Sequence, residues 1–144
     1  MRLKRDLVFV KNDFTSKADV IDFLGSKLVE AGAVHAGYVA AMHKREQDIG
    51  TYITEGVAIP HGTEESRSLV KRPELIILKI PQGIDWGNDN QVVLAFGIAG
   101  NNEEHVELLG SLATLLMDDE QKAKLMSATS EDELFNYLDG QLLG

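Results

Sequence analysis

The residues best suited to chemistry in this 144-residue chain surround His61, in the segment EGVAIPHGT at positions 55–63. Pro60 fixes its own φ and biases the preceding residue towards an extended conformation, so a strand should end here in a defined direction. Gly62 has no side chain and lets the backbone approach a ligand closely. A histidine held at a strand end beside open backbone suits nucleophilic chemistry, but Pro-His-Gly alone is equally typical of a loop histidine next to a turn.

The other residue types that support catalysis form no recognisable set. None of the four histidines shows the i, i+4 spacing of a metal-binding helix, and His35 and His43 are predicted to be exposed to solvent. The chain has no cysteine, which excludes disulfides, a thiol nucleophile and cysteine-ligated metals and is typical of a reducing compartment. Glycine-rich nucleotide loops, the serine elbow and His-Glu-x-x-His are absent as well. We therefore expect neither a metal nor a cofactor.

Charge is distributed unevenly along the chain. Residues 1–72 carry 11 basic and 10 acidic side chains, whereas residues 73–144 carry 3 and 13, so the halves have net charges of +1 and −10. An acidic surface repels phosphate backbones, which argues against nucleic acid as a partner. It suits a basic protein partner and equally suits a solvated face. No apolar run approaches the roughly 20 residues of a membrane span and no signal peptide is visible, so we expect a cytoplasmic protein without membrane insertion.

Hydrophobic patterning predicts the elements that must position His61. Apolar runs predict strands over residues 7–10, 51–53, 57–59, 74–80 and 92–99. Apolar spacing of three and four predicts helices after Ser16 and over residues 38–47 and 105–117. A further helical turn or two is expected after Asp118, and a final helix is expected from Ser130 to about Leu138. Both serines have an acidic residue three positions later, the spacing of a capping box. Pro81-Gln82-Gly83 is typical of a turn that closes the fourth strand.

Helices before, between and after the strands predict an α/β fold. We expect a three-layer sandwich in which a mixed β-sheet has helices on both faces. Residues 92–99 are almost continuously apolar, which is typical of a central strand buried on both faces. No linker or repeat divides the chain and its length is usual for one domain, so residues 1–144 are expected to form a single domain. These patterns leave the order of the strands open.

Three separated motifs agree in identity and order with one known protein family. They are YVAAMHKRE at positions 38–46, TY at 51–52 with EGVAIPHGT at 55–63, and GIAGNNEEH at 97–105. On these motifs the chain resembles the mannitol/fructose family of enzyme IIA components of the phosphoenolpyruvate-dependent sugar phosphotransferase system. Pro-His-Gly-Thr followed by Asn-Asn is most similar to the mannitol branch. Gly100 departs from that branch, whose members tend to have a larger residue there.

The resemblance implies a phosphocarrier, formally a phosphotransferase component with a phosphohistidine intermediate. His61 would accept a phosphoryl group from the phosphocarrier protein HPr and pass it to a cysteine of enzyme IIB for mannitol uptake and phosphorylation. Because this chain has no cysteine, enzyme IIB would lie on a separate polypeptide. The alternative within the family is a fructose-type or nitrogen-regulatory IIA protein that signals through its phosphorylation state. Outside it, the alternatives are a non-catalytic IIA-like regulatory module and, more remotely, a hydrolase.

The resemblance also assigns roles to residues distant from His61. Arg45 would offer a forked cation to the phosphoryl oxygens, with a surface arginine paired to a carboxylate as the alternative. His105 would donate to the phosphoryl group from a helix start, with an ordinary polar residue of the first turn as the alternative. Glu55 and Thr63 are carried over as supporting residues.

Overall fold

The computed structural model describes residues 3–139, which form five β-strands and five α-helices. The strands are β1 Val8–Val10, β2 Tyr52–Thr54, β3 Val57–Ala58, β4 Glu74–Gly87 and β5 Asn90–Ala99. The helices are α1 Lys17–Glu30, α2 Gly37–Asp48, α3 Asn102–Met117, α4 Asp119–Ser127 and α5 Glu131–Leu138, and 3₁₀ turns cover Arg5–Leu7 and Glu65–Leu69. Every predicted element is therefore present. None of the helices in this part of the chain has the length and apolar character needed to cross a membrane.

Side chains cap the helices where the sequence predicted them. The Ser16 hydroxyl accepts a hydrogen bond from Asp19 N–H at 3.2 Å, and the Ser130 hydroxyl accepts one from Glu133 N–H at 3.1 Å. In both cases the acidic side chain accepts from the N–H of the residue before the cap, so these are close variants of a capping box. Asp118 caps α4 in the same manner. These local bonds determine where α1, α4 and α5 begin.

The five strands form one mixed sheet, as predicted, in the order β1-β4-β5-β3-β2. β1 runs parallel to β4 and β3 runs parallel to β5, whereas the β4–β5 and β2–β3 pairs are antiparallel. The long β4–β5 hairpin therefore forms the centre of the sheet. The short β3 lies beside β5, and the chain that follows β3 continues along that strand towards His61.

The sheet separates two hydrophobic cores, which confirms the predicted three-layer sandwich. Alternate residues of β4 point to opposite faces because side chains alternate along a strand. One core contains α1 and α2 side chains and, from the sheet, Ile76, Leu78 and Ala95. The other contains α3, α4 and α5 side chains and, from the sheet, Leu75, Ile77 and Phe96. The central strands are thus covered on both faces.

The predicted turn at residues 81–83 is wrong. β4 continues through this segment to Gly87, and its register with β5 shifts across the segment, with Gly83 at a φ of 77°. A bulge accommodates a proline within a strand because an interrupted ladder does not need the missing N–H. The hairpin turns instead at Asn88 and Asp89, whose φ values of 54° and 65° are typical of a type I′ turn.

Candidate active site

The backbone around His61 is held between β2 and β5. Ile59 N–H donates to the Thr51 carbonyl at 2.9 Å, and Ile98 N–H donates to the Pro60 carbonyl at 3.0 Å. His61 itself forms an isolated parallel bridge with Ile98 of β5. The histidine therefore lies at a strand end in a defined direction, as Pro60 predicted.

The His61 ring is fixed in one tautomer by its own backbone. Its Nδ1 lies 2.7 Å from the Ile59 carbonyl oxygen, which can only accept, so Nδ1 carries the proton and Nε2 keeps a lone pair. Burial is the main cause of a lowered pKa at His61, and the charges of Arg45 and Arg67 lower that pKa further. The Ile59 bond and the Glu46 carboxylate act in the opposite direction. The imidazole is consequently neutral at pH 7.

His105 on the first turns of α3 lies beside His61. The two ring centroids are 4.7 Å apart and the planes are inclined by 57°. Burial, and then the charges of His61, Arg67 and Arg45, lower the pKa of His105 from 6.5 to about 4. Because it is also neutral at pH 7, His105 carries one N–H donor and one lone pair.

A close contact of Gly100 with α3 accounts for the residue that departs from the mannitol branch. A Cβ at position 100 would lie 3.1 Å from the backbone N of His105 and 3.3 Å from its Cα. Such distances are shorter than ordinary van der Waals contact, so a larger residue here would require the start of α3 to shift by a few tenths of an ångström. Gly100 thus allows His105 to approach the end of β5.

Two guanidinium groups add positive charge to the histidine pair. The charges of Arg45 on α2 and of Arg67 in the second 3₁₀ turn lower the pKa of both His61 and His105. The Arg45 guanidinium donates to the Ile49 carbonyl at the end of α2. Two neutral imidazoles beside two cations form a site suited to an anion. Sequence reasoning missed Arg67, whose one signal is a basic residue six positions after the histidine.

A buried carboxylate and a buried phenol, both on α2, support the site. The Glu46 carboxylate accepts from Thr51 N–H at 2.9 Å and from the Thr51 hydroxyl, which ties α2 to the start of β2. The Tyr38 hydroxyl accepts from Gly62 N–H at 2.9 Å and donates to the Ile98 carbonyl at 2.8 Å. The sequence analysis placed both residues in the predicted helix and in the family motif at positions 38–46, without assigning either a role in the site.

The structure does not bring all predicted site residues together. Glu55 lies in the turn between β2 and β3, with a side chain 97% exposed and 3.8 Å from Lys122 Nζ. Because β3 separates the two residues, Glu55 and His61 lie at opposite ends of that strand. Thr63 is half-buried two residues after His61, and its carbonyl accepts from the Ser66 hydroxyl at 2.7 Å. Of the two supporting residues, only Thr63 lies in the segment that directly follows His61.

The remaining two histidines lie outside the site. His35 is exposed, as predicted. His43 is partly exposed, with 29% of its side chain accessible and its Nε2 2.7 Å from an Asp22 carboxylate oxygen. Within residues 3–139, no three His, Asp or Glu side chains are grouped closely enough to hold a metal ion.

Comparison with known proteins identifies the family of this chain. The family described as "Phosphoenolpyruvate-dependent sugar phosphotransferase system, EIIA 2" matches residues 1–141. The chain belongs to this family. An EIIA 2 relative, the mannitol-specific phosphotransferase enzyme IIA component of Enterococcus faecalis, is 38% identical over 132 residues, covering 90% of this chain and 91% of the relative.

Solved structures agree with the EIIA 2 assignment. The crystal structure of IIA mannitol from Escherichia coli is 34% identical with a TM-score of 0.86, covering 96% of this chain and 99% of that one. The complex of enzyme IIAMTL and phosphorylated enzyme IIBMTL from Escherichia coli contains a chain that is 33% identical with a TM-score of 0.87, covering 95% and 96%. The architecture of this EIIA 2 protein is therefore that of the mannitol IIA proteins.

Proposed function

We propose that this EIIA 2 protein is a phosphocarrier, which accepts a phosphoryl group on His61 from HPr and passes it to an enzyme IIB cysteine on a separate polypeptide. The observation that carries this proposal is the hydrogen bond between His61 Nδ1 and the Ile59 carbonyl. It leaves the Nε2 lone pair available for attack on phosphorus, next to a second imidazole and two positive charges.

The transfer needs no cofactor, because each bond formed to phosphorus replaces one that breaks. The Nε2 lone pair of His61 forms a bond to phosphorus while the phosphorus–nitrogen bond of the donor histidine breaks, and that electron pair returns to the donor ring. The proton stays on His61 Nδ1 throughout, where it is donated to the Ile59 carbonyl. In the second step a cysteine thiolate attacks the phosphorus and the His61 imidazole leaves as the neutral ring. No proton has to be removed from His61 in either direction.

Arg45, Arg67 and His105 are proposed to stabilise the transferred group. Phosphoryl transfer passes through a loose transition state, so catalysis depends mainly on positioning and on charge stabilisation. The two guanidinium groups stabilise the negative charge on the phosphoryl oxygens. The neutral His105 ring keeps one N–H that can donate a hydrogen bond to these oxygens. Thr63 is retained as a supporting residue because it lies in the segment that directly follows His61. Glu55 is retained with a role that must act from the far end of β3.

Mannitol is the proposed sugar because the relatives matched over nine-tenths of the chain are mannitol-specific. The alternative is a fructose-type or nitrogen-regulatory IIA protein whose phosphorylation state is a signal. The two proposals differ in the acceptor. Under the first proposal, a mannitol enzyme IIB should rapidly accept the phosphoryl group from the phosphorylated protein. Under the second, the phosphoryl group should stay on the protein.

The first test is phosphorylation with phosphoenolpyruvate, enzyme I and HPr, followed by mass spectrometry at neutral pH. We expect one added phosphate, which is lost in acid. His61→Ala should accept none, and the matched variant His43→Ala, which removes the partly buried histidine paired with Asp22, should accept one. Phosphate on the His61→Ala protein would contradict the assignment of the acceptor.

A further inference from the structure

The Tyr38 hydroxyl bridges two backbone groups on either side of the proposed phosphoryl acceptor. Its oxygen accepts from the N–H of Gly62, the residue after His61, at 2.9 Å. Its proton is donated to the carbonyl of Ile98, the bridge partner of His61 on β5, at 2.8 Å. Tyr38 is 2% exposed, so these bonds are shielded from water. One side chain of α2 thus joins the His61 loop to the centre of the sheet.

This hydroxyl lies at the end of the parallel bridge between His61 and Ile98. The Pro60 carbonyl already accepts from Ile98 N–H at 3.0 Å. Continued parallel pairing would then bring Gly62 N–H to the Ile98 carbonyl directly. The phenol contacts both of these groups, so Tyr38 holds the end of the bridge together.

The aromatic ring of Tyr38 also limits where the loop can lie. A Cβ at position 62 would lie 2.6 Å from Cε1 and 2.9 Å from Cζ of Tyr38, so only glycine lets the backbone pack this closely. Burial raises the pKa of Tyr38, which keeps the hydroxyl protonated and able to donate at neutral pH. Both the ring and the hydroxyl therefore constrain the peptide that follows His61.

We infer that Tyr38 is a positioning residue for phosphoryl transfer, because it fixes the backbone on which the His61 ring is mounted. This inference rests on the proposed function of His61. The ring is already attached to the Ile59 carbonyl through Nδ1, so its remaining freedom is that of the segment 59–62. Tyr38 restrains the end of that segment and so determines where Nε2 meets the phosphorus. In reactions that depend on alignment, a displacement of about 1 Å costs roughly 100-fold in rate.

The chain offers a matched control for this bond. Tyr52 on β2 also accepts a hydrogen bond from a glycine, with its oxygen 3.0 Å from the N of Gly56. That bond lies at the opposite end of β3 from His61. Tyr38→Phe and Tyr52→Phe therefore each remove one phenol–glycine bond, and only the first removes it from the His61 loop.

The experiment compares single-turnover phosphoryl transfer from phospho-HPr to the wild type and the two variants over a range of donor concentrations. We expect Tyr38→Phe to lower the maximal rate by roughly 10-fold to 100-fold with an unchanged half-saturating donor concentration. Tyr52→Phe should stay within about twofold of the wild type. A wild-type maximal rate in Tyr38→Phe would overturn the inference, as would equal slowing in both variants.

A second measurement does not depend on phosphorylation. In Tyr38→Phe, amide hydrogen exchange at Gly62 should accelerate and the imidazole ¹⁵N resonances of His61 should shift, with neither change in Tyr52→Phe. Unchanged exchange and resonances in Tyr38→Phe would overturn the inference. If the wild type accepted no phosphate on His61, the proposed function would fail, and these spectra would still decide whether Tyr38 positions the ring.

Discussion

At the scale of single residues, the site depends on two histidines that are kept neutral. Burial is the main cause of the lowered pKa of both rings, and the two arginine charges act in the same direction. A protonated His61 would have no lone pair at Nε2 and could not attack phosphorus. The same burial that shields the site from water therefore keeps its nucleophile available at neutral pH.

The lowered pKa values make stability depend on pH in a defined window. The pKa of His105 is about 4 in the folded protein against 6.5 ordinarily. Above pH 6.5 neither state binds the proton; between 6.5 and about 4 only the unfolded chain does, so the free energy of unfolding decreases as the pH falls. One such histidine contributes a slope of at most ~1.4 kcal/mol per pH unit.

We expect His105→Gln to flatten this slope by roughly 1 kcal/mol per pH unit between pH 4 and 6.5. The measurement is urea unfolding at a series of pH values, with the exposed-site variant His35→Gln as the matched control. Comparing slopes removes the constant cost of changing a buried side chain. An identical slope in the wild type and His105→Gln would contradict the assigned pKa direction.

His105 should be needed for fast phosphoryl transfer, but His61 should still accept phosphate slowly without it. We expect His105→Ala to fold and to accept phosphate roughly 10²- to 10³-fold more slowly, which is the usual effect of losing one preorganised donor. His105→Gln keeps a donor and should lie between Ala and the wild type. Single-turnover rates from phospho-HPr, with circular dichroism to verify folding, test this. A wild-type rate in folded His105→Ala would show that His105 is an ordinary polar residue of the first turn of α3, without a role in transfer.

At the scale of elements, a buried lysine joins β4 to the end of α4. Lys79 is 4% exposed, and its Nζ donates to the carbonyls of Leu125 at 2.9 Å and Ala128 at 2.8 Å and to the Met126 carbonyl. These oxygens belong to the last turn of α4 and the residues after it, which lack partners within the helix. Burial lowers the pKa of the ammonium group. The lysine thus caps α4 from the middle of the sheet.

We expect Lys79→Met to destabilise the protein by ~2–4 kcal/mol, because three carbonyls at the end of α4 lose their buried ammonium donor, although the Leu125 carbonyl keeps its bond from Ala128 N–H at 3.3 Å. The matched variant Lys124→Met removes an α4 lysine that is 59% exposed and 3.9 Å from Glu120, and it should cost at most ~0.5 kcal/mol. Urea unfolding of both variants provides the comparison. Similar costs in the two variants would show that the Lys79 cap contributes nothing specific.

At the scale of the whole molecule, the two sheet faces differ in charge. The helices α3, α4 and α5 on one face belong to the half of the chain with net charge −10, and α1 and α2 on the other belong to the half with +1. Next to His105, Val106 is 66% exposed and is flanked by the exposed carboxylates of Glu103 and Glu107. This surface combines an apolar residue with an acidic rim beside the proposed acceptor.

The acidic rim should accelerate encounter with a basic donor. We expect the association rate with phospho-HPr to fall by roughly tenfold as salt rises from about 0.01 M to 1 M, while screening shortens the Debye length from about 30 Å to 3 Å. Glu107→Gln should reduce both the rate at low salt and its salt dependence, whereas Glu30→Gln, an exposed change on α1, should not. An association rate that does not change with salt would show that the acidic rim does not attract the donor and is only a solvated surface.

Local features of this protein could be predicted from neighbouring residues. Ser16 and Ser130 begin their helices through bonds to residues three positions away, so short-range spacing was sufficient to predict both caps. Asp118 makes the same kind of bond at the start of α4, where the sequence predicted a helical turn or two without a cap. Alternation and continuous apolar runs likewise predicted the strands and the covered sheet. Pro60 and Gly62 predicted a strand end at His61 because proline and glycine act on their own backbone.

The tertiary structure alone decided which distant groups meet. Tyr38 contacts Ile98 across 60 positions and Lys79 reaches Leu125 across 46, and no local pattern encodes such contacts. The strand through Pro81 shows the same limit, since pairing with β5 outweighed a strong local turn signal. Local propensities amount to a few tenths of a kcal/mol per residue, whereas burial and long-range pairing in the sheet contribute several times more. Neutral histidines beside two arginines therefore exist only once the sheet has assembled.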